Sequence, residues 1–383
     1  MKIALPKERR PYEYRVAVTP DMVKKYQALG FSVAIEAGAG KDAMFSDEMY
    51  KAAGASIVPD AAELLKDANI VLKVQRPMND TESIDEISML KSGAILIGML
   101  NPYNSRKDIE KYAEASITAM TMEFMPRITR AQEMDVLSSQ SNLAGYKAVL
   151  DAAEHFGKVI PMMMTAAGTI VPARIFVMGA GVAGLQAIAT ARRLGAVVSA
   201  TDVRPSVKEQ VESLGAAFVM VENEETKEAE TSGGYAKEMS EGYKIAQAQL
   251  IAETIKKQDI IICTALIPGR AAPILVNEEM VKTMKPGSVI VDLAVEQGGN
   301  CALSEVGQVV EAHGVKIVGH RNMPSRVPTD ASALYARNLY NFIAAIFDKE
   351  TGKIVLDWND EIIREVTLTH QGSIVHSKFV SAG

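Results

Sequence analysis

Short apolar runs alternate with helical patterns along the first third of the chain. Lys2–Leu5, Ser32–Glu36 and residues 67–74 and 94–100 have the length and apolar character of buried strands. A Thr-Pro pair predicts a helix over residues 19–29, with the threonine as its N-cap and the proline in its first turn. This order of strand, helix and strand predicts a parallel sheet with helices on its faces.

A second and stronger series of strands and helices begins near residue 172. Arg174–Met178 is an apolar strand, and the helix that follows a glycine-rich loop runs to about residue 194, where Gly195 can end it. Further strands are predicted at residues 196–201, 216–221, 259–263, 288–293 and Val315–Val318. One doubly wound sheet accounts for this series. The tail at residues 353–376 alternates in polarity and predicts additional strands.

Two long helical patterns, at residues 138–156 and 332–347, flank the second series. We therefore expect a discontinuous first domain and an inserted second domain, with bounds at residues 1–138 plus 320–383 for the first and 139–319 for the second. The expected fold class is α/β, with two Rossmann-like domains built on parallel sheets.

The loop between the first strand and the first helix of the second series reads Gly179-Ala180-Gly181-Val182-Ala183-Gly184. A GxGxxG string between a strand and a helix is the context that binds a dinucleotide. Gly179 permits the tight turn, Gly181 lets the main chain approach a pyrophosphate, and Gly184 allows the helix to pack closely on the strand. The helix N-terminus offers its free N–H groups to the phosphates. The second domain is therefore predicted to bind a dinucleotide.

Asp202 ends the next predicted strand, at the position where a carboxylate accepts hydrogen bonds from the adenosine ribose. A carboxylate there also repels a 2′-phosphate, so NAD is favoured over NADP. Arg204, two residues later, weakens that preference.

Composition narrows the function classes. The chain has 383 residues, which favours two domains, and its 48% apolar and 23% charged residues are typical of a folded protein. A net charge of −6 and the lack of a basic run argue against nucleic-acid binding. Cys263 and Cys301 form neither a CxxC pair nor a metal cluster with the histidines. We expect free, at least partly buried thiols and no metal site.

The N-terminus is charged and lacks the apolar run of a signal peptide. The most apolar stretches, at residues 93–100 and 289–295, are shorter than the ~20 residues of a membrane helix. A cytoplasmic protein is therefore expected, which reaches a membrane only through a partner.

Residues 127–142 concentrate hydrogen-bonding side chains directly before a predicted helix, among them Arg127, Arg130, Gln132 and Asp135. Asp135 or Ser138 could cap that helix. The run is either a surface loop tied by an Arg–Asp ion pair or a binding loop.

Residues 222–243 are rich in Glu, Lys, Gly and Ser and lack an apolar period. A loop of this length inside a domain is unusual. It is either a surface insertion or a mobile lid that places Tyr235 over a ligand.

Six segments together resemble one family: PRITRAQEMDVLSSQSNLAGYKAV, MMMTAAGTIVPARIFVMGAGVAGLQAIATARRLGAVV, TDVRPSVKEQVESLGA, GGYAKEMSEGY, TALIPGR and GSVIVDLAVEQGGN. The chain resembles the NAD(H)-binding alpha component of the proton-translocating NAD(P) transhydrogenases from Met1 to about His376. It is most similar to the split form, in which this component is a separate polypeptide.

The resemblance implies a homodimer and a role for each matching position. Arg127 and Ser138 would contact the nicotinamide carboxamide or groups near it. Asp135 would hold Arg127 and the ring in place, and Gln132 would reach toward NADP(H) on a partner. These four residues and Tyr235 would align the reacting rings. The other implied cofactor contacts are Ile128, Thr129 and Arg130, Gly179, Gly181, Val182 and Gly184, Asp202, Val203 and Arg204, Gly234, and Thr264, Ala265 and Leu266.

The implied reaction is direct hydride transfer between NADH and NADP⁺. NADP(H) would be held by a beta subunit, and protons would cross in a membrane-spanning subunit to which this chain is peripheral on the inner face of the plasma membrane. Such a transfer depends on alignment and on exclusion of water and needs no general acid or base. This agrees with the lack of a nucleophile–His–carboxylate pattern in the sequence.

Alanine dehydrogenase shares this fold and the glycine loop, and it is the main alternative. Arg15 and Lys73 lie where that family binds the carboxylate of pyruvate or alanine. Residues 95–103 supply no histidine, however, so the proton carrier of imine chemistry is missing. Arg15 and Lys73 are then predicted to be structural ion-pair partners. A third alternative is an NAD-sensing module that binds the nucleotide without turnover.

Overall fold

The computed structural model describes residues 1–221, 240–267 and 269–380. Its strands are β1 (Lys2–Leu5), β2 (Ser32–Glu36), β3 (Ser56–Val58), β4 (Ile70–Gln75), β5 (Ile95–Met99), β6 (Thr118–Thr121), β7 (Met163–Thr165), β8 (Gly168–Ile170), β9 (Arg174–Met178), β10 (Val197–Thr201), β11 (Ala217–Phe218), β12 (Ile260–Cys263), β13 (Val289–Asp292), β14 (Val309–Ala312), β15 (Val315–Val318), β16 (Phe347–Asp348), β17 (Lys353–Ile354), β18 (Thr367–His370) and β19 (Ser373–Ile374).

The α-helices are α1 (Pro20–Ala28), α2 (Asp47–Ala52), α3 (Ala61–Leu65), α4 (Arg106–Glu114), α5 (Val136–His155), α6 (Val182–Arg193), α7 (Lys208–Ser213), α8 (Glu241–Ile255), α9 (Glu278–Lys282), α10 (Pro328–Ile346) and α11 (Glu361–Val366). A 3₁₀ helix spans Thr129–Met134. The chain forms two compact units, the first from Met1–Gln140 and Ser325–Gly383, the second from Ser141–Pro324.

The first unit is built on an eight-stranded sheet with the order β19-β18-β6-β5-β4-β1-β2-β3. The strands from β6 to β3 are parallel, and β18 and β19 extend one edge in antiparallel pairing. Successive side chains point to opposite faces of a sheet. Ile3 and Leu5 therefore enter one apolar cluster and Ala4 the other. Because both faces are covered, the strands are almost continuously apolar.

The second unit is built on a seven-stranded sheet with the order β11-β10-β9-β12-β13-β15-β14. All neighbours are parallel except β14, which pairs antiparallel with β15. The chain moves outward from β9 in one direction and then returns to begin again at β12 on its other side. In open α/β sheets, ligands bind outside the carboxyl ends of the strands at such a switch point. Gly179 and Thr264 directly follow the two strands concerned.

The predicted α/β fold class with two sheets of mainly parallel strands is confirmed. The bounds predicted for β1, β2, β9 and β15 agree with the structure residue for residue. Cys263 and Cys301 are free and buried, as predicted. Burial is the main cause of the raised pKa of both thiols, which keeps them protonated at neutral pH.

Several local predictions were wrong. The strand expected at residues 216–221 is only the two residues of β11, and the tail contains helix α11 as well as strands. Asp360 caps α11 by accepting the Ile362 N–H, and the helix buries Ile362, Ile363 and Val366. A six-residue helix is too short for its period to be told from alternation. Thr19 precedes α1 as predicted, but its side chain forms no capping hydrogen bond.

The loop expected at residues 222–243 ends earlier than predicted. Ser240 accepts the Tyr243 N–H as the N-cap of α8, which begins at Glu241. Gly234 and Tyr235 lie outside the described residues. Among the helices that the structure describes, none has both the length and the apolar character that crossing a membrane requires.

Candidate nucleotide-binding site

The glycine loop of the second unit joins β9 to α6. Gly179 has a φ of 101°, in the left-handed region that favours glycine. A Cβ at position 184 would overlap the Gly179 carbonyl oxygen, so Gly184 is required for α6 to approach the loop. A Cβ at position 181 would meet nothing within 4 Å, which leaves the main chain there open to a ligand. The three glycines thus meet the requirements of a dinucleotide-binding turn.

The N-terminus of α6 lies at this open position. Gly181 precedes the helix, and no side chain in the described part of the chain caps its first turn. Unpaired N–H groups and the helix dipole make such an end a site for phosphate. The exposed Val182 begins the helix directly beside it.

Hydrogen bonds from both neighbouring strands hold the glycine loop. The Ala180 N–H donates to Asp202 Oδ2 at 2.8 Å, after the end of β10. On the other side, Thr264 Oγ1 donates to the Gly179 carbonyl oxygen at 2.9 Å, after the end of β12. Asp202 and Thr264, both predicted cofactor contacts, therefore also determine the conformation of the loop.

Asp202 forms a two-point ion pair with Arg204. Its Oδ1 accepts the main-chain N–H and the Nε–H of Arg204, both at 2.9 Å, and its Oδ2 accepts an Nη2–H at 2.9 Å. With the Ala180 N–H, each carboxylate oxygen accepts two hydrogen bonds, which is the usual capacity of such an oxygen. A ribose hydroxyl would have to replace a guanidinium contact to bond Asp202. Val203 lies between the two residues in sequence.

Residues 264–266 continue the chain beyond β12. Leu266 is exposed, whereas the Ala265 N–H donates to Asn300 Oδ1 at 3.0 Å. Asn300 was not singled out from the sequence. The available signal was a polar residue after two glycines that follow a predicted strand.

The polar run of the first unit forms the 3₁₀ helix Thr129–Met134 and the start of α5. Asp135 accepts the Ser138 N–H at 2.9 Å and the Ser138 hydroxyl at 2.6 Å, so the predicted cap is Asp135. Arg127, Thr129, Arg130 and Gln132 are exposed, and Ile128, Asp135 and Ser138 are half-buried. The exposed residues of the run are accessible to a ligand or a partner.

An ion pair fixes one end of this run. Both Nη atoms of Arg130 donate to the carboxylate of Asp360, the N-cap of α11. An Arg–Asp ion pair therefore fixes the run, but its aspartate lies outside the run, 230 positions away in sequence. The hydrogen bond from Arg130 is the main cause of the lowered pKa of Asp360.

Arg15 and Lys73 are buried in the first unit and paired with carboxylates. Arg15 donates from Nε and Nη2 to the two oxygens of Glu13, each at 2.7 Å. Lys73 Nζ lies 3.1 Å from Glu86 Oε2 and 3.5 Å from Glu8 Oε2. Both cations are ion-pair partners of internal carboxylates, as predicted. Their positive charge is already compensated by internal carboxylates, as buried charge requires.

Comparisons with known proteins assign the chain to a family. The family model "Alanine dehydrogenase/PNT, N-terminal domain" matches residues 4–144, and "Alanine dehydrogenase/PNT, C-terminal domain" matches residues 148–377. The chain is 56% identical, over the whole of both chains, to an NAD(P) transhydrogenase alpha subunit of Rhodospirillum rubrum.

Two solved structures are also similar. A transhydrogenase from Sinorhizobium meliloti has 51% identity and a TM-score of 0.88, covering 98% of this chain and 100% of that one. An L-alanine dehydrogenase has 26% identity and a TM-score of 0.81, covering 99% and 98%.

The chain belongs to the alanine dehydrogenase/PNT family, and within it to the group of the NAD(P) transhydrogenase alpha subunits. The family supports an NAD-linked oxidoreductase function for the chain, with NAD(H) as its nucleotide.

The buried ion pairs of the first unit predict a pH-dependent stability. Burial raises the pKa of Glu8 from 4.5 to about 7, Glu13 and Glu86 add to the shift, and Lys73 and the Val74 N–H oppose it. Between these two pKa values the folded protein keeps a proton that the unfolded chain has released. The contribution of this proton to the free energy of unfolding is complete below pH 4.5 and is lost as the pH rises through 7.

We therefore expect Glu8→Gln to flatten the fall in unfolding free energy between pH 5 and 7 by up to about 1.4 kcal/mol per pH unit. Glutamine stays neutral and keeps the oxygen that accepts the Val74 N–H. Urea titrations of the full chain at several pH values measure the slope, with the exposed Glu63→Gln as the matched control. Equal slopes in wild type and Glu8→Gln would contradict the prediction.

Proposed function

We propose that the chain is the NAD(H)-binding component of a proton-translocating transhydrogenase. Hydride would pass directly between NADH on this chain and NADP⁺ on a partner subunit. The observation that favours this function over that of an alanine dehydrogenase is the ion pairing of Arg15 and Lys73. Glu13 and Glu86 already compensate these cations, so a 2-oxoacid carboxylate would have to displace a buried internal partner.

The second unit offers the features that fit one end of a dinucleotide. The open main chain at Gly181 and the N-terminus of α6 would bind the pyrophosphate. Asp202, Val203 and Arg204 would lie at the adenosine, and Thr264, Ala265 and Leu266 at the adenine and ribose. Gly234 and Tyr235 enter the proposal on the family resemblance alone.

On the family resemblance, the residues that would contact the nicotinamide end are Arg127, Ile128, Thr129, Arg130, Gln132, Asp135 and Ser138. The bound nucleotide supplies the hydride. The task of these side chains is to orient the ring and exclude water, which requires a fixed loop. The Asp135 cap and the Arg130–Asp360 pair provide two such constraints.

Proton translocation would take place in a membrane-spanning partner, which would make this chain peripheral on the inner face of the plasma membrane. The relatives named as alpha subunits support the existence of further subunits. The NADP(H)-binding beta subunit would dock where Gln132 is exposed.

We also propose that the chain is a homodimer. The hairpin β7–β8 supports this, because it is a separate two-stranded sheet whose six strand residues are all exposed. Met162, Met163, Met164, Ile170 and Val171 give it an apolar surface. An isolated hairpin is marginally stable in water, and exposed apolar patches of this kind mark interfaces.

Reconstitution tests the function directly. The purified chain is expected to bind NADH, detected by its fluorescence, and to bind NADPH poorly. After addition of an NADP(H)-binding transhydrogenase component, hydride transfer between the two nucleotides should appear in the absorbance. Alanine-dependent NADH formation by the chain alone would favour alanine dehydrogenase. Nucleotide binding without transfer in the mixture would favour the NAD-sensing alternative.

The Asp202–Arg204 pair predicts how NAD is chosen over NADP. Asp202→Asn removes the charge that compensates Arg204 but keeps an oxygen for the Ala180 N–H. The guanidinium could then bind a 2′-phosphate, so NADPH affinity should rise about tenfold, or about 1.4 kcal/mol. Equilibrium titrations with NADPH measure this. The double variant Asp202→Asn/Arg204→Ala should lose the gain, and retention of the gain there would refute the explanation.

If the β7–β8 hairpin forms the dimer interface, a charged side chain introduced there should weaken the dimer. Met164 is 78% exposed, and Met164→Glu should shift the mass in sedimentation from twice toward once the 41.3 kDa of a single chain. Burial of an unpaired carboxylate at an apolar interface is the reason. Met49→Glu, at an exposed methionine of α2, is the control and should leave the mass unchanged. A Met164→Glu protein with the wild-type mass would exclude the hairpin as the interface.

A further inference from the structure

Asn300 makes a three-point contact with the main chain of two other segments. Its Oδ1 accepts the Ala265 N–H at 3.0 Å. Its Nδ2 donates to the carbonyl oxygens of Ala265 at 2.9 Å and Pro273 at 2.8 Å. Asn300 is fully buried. The side-chain amide therefore bonds both main-chain groups of one residue, as a neighbouring strand would.

The contact between Asn300 and Ala265 lies just beyond the end of β12, where the hydrogen bonds between strands stop. The last ladder-like bond of this segment is from the Thr264 N–H to the Met178 carbonyl oxygen at 2.8 Å. Beyond it, Ala265 must find other partners for its N–H and C=O groups, because unpaired polar groups are costly when buried. Asn300 supplies both. The next two residues, Leu266 and Ile267, have exposed side chains.

Asp292 fixes the main chain at Asn300 through hydrogen bonds. The fully buried Asp292 Oδ2 accepts the N–H groups of Asn300 at 2.8 Å and Cys301 at 2.9 Å and the Ser304 hydroxyl at 2.7 Å. Gly299 has a φ of 80°, and a Cβ there would lie 2.9 Å from Asp292 Oδ2. Only glycine fits this turn, so the loop is closed tightly around the carboxylate.

A continuous set of bonds thus runs from Asp292 to the glycine loop. Asn300 holds Ala265, and the adjacent Thr264 donates to the Gly179 carbonyl oxygen. A Cβ at Gly179 would lie 2.6 Å from Thr264 Oγ1, so these two segments are in close contact. Both lie at the switch point of the sheet, where ligands bind.

We propose that Asn300 is a positioning residue of the nucleotide site, which fixes the main chain at Ala265 before the ligand arrives. The inference rests on the proposed function for the identity of the nucleotide. A segment that is already ordered loses less entropy when a ligand binds. The three hydrogen bonds of the Asn300 side chain, called here the Asn300 clamp, therefore increase affinity without touching the ligand.

Asn300→Ala tests the proposal against a matched control in the same unit. Asn277 caps α9 by accepting the Met280 N–H at 2.9 Å, and Asn277→Ala removes this partly buried hydrogen bond, which involves none of residues 264–266. Both variants are made in the full chain. NADH dissociation constants are measured by fluorescence and unfolding temperatures by calorimetry.

We expect Asn300→Ala to raise the NADH dissociation constant at least tenfold at a temperature where it is folded. Asn277→Ala should stay within twofold of wild type even where its unfolding temperature falls by a similar amount. In the reconstituted assay the loss should appear in KM for NADH more than in kcat. Equal NADH affinities in the two variants would overturn the proposal.

Hydrogen exchange of the wild-type chain without nucleotide covers the case in which Asn300→Ala does not fold. The Ala265 amide should exchange at least a hundredfold more slowly than in an unstructured chain. Exchange at the unstructured rate would overturn the proposal. Wild-type protein that fails to bind NADH would instead overturn the proposed function, while a protected Ala265 amide would still support the clamp.

Discussion

The carboxyl edge of the second sheet depends on buried side chains that bond to main-chain groups. Parallel strands end there with N–H and C=O groups that no further strand can pair, and buried groups of this kind need partners. Asp202 accepts the Ala180 N–H, and Asp292 accepts the N–H groups of Asn300 and Cys301. These short polar side chains fix the main chain of the described loops that follow β9 and β13. A nucleotide would therefore meet a surface that is already ordered.

In the first unit, buried carboxylates pair with two buried cations. Arg15 and Lys73 are cations in a protein interior, and such cations are stable only beside carboxylates. Glu13 and Glu86 provide them from within the chain. The fold is shared across the family, and a shared fold does not by itself determine the activity.

The sequence predicted the bounds of several regular elements correctly. The strands β9 and β15, each mostly apolar with a single charged residue, were located to the residue, and so was the glycine loop at the end of β9. Prediction failed at β11, which is only two residues long, and at α11, because the period of a six-residue helix cannot be told from the alternation of a strand. The roles of Arg127 and Gln132 came from family resemblance, and no periodicity could have supplied them. Gly234 and Tyr235 stay predictions.

The sequence by itself determined the class of fold, the dinucleotide loop and the lack of a histidine for imine chemistry, because these follow from neighbouring residues. The tertiary structure decided which polar groups are partners. Arg15 bonds Gln140, 125 positions away, and Asn300 bonds Ala265 across 35 positions. Arg204 lies only two positions from Asp202, yet their ion pair depends on the backbone after β10. Hydrogen bonds act over about 3 Å in space, whatever the distance in sequence, and only the packed sheets bring these groups together.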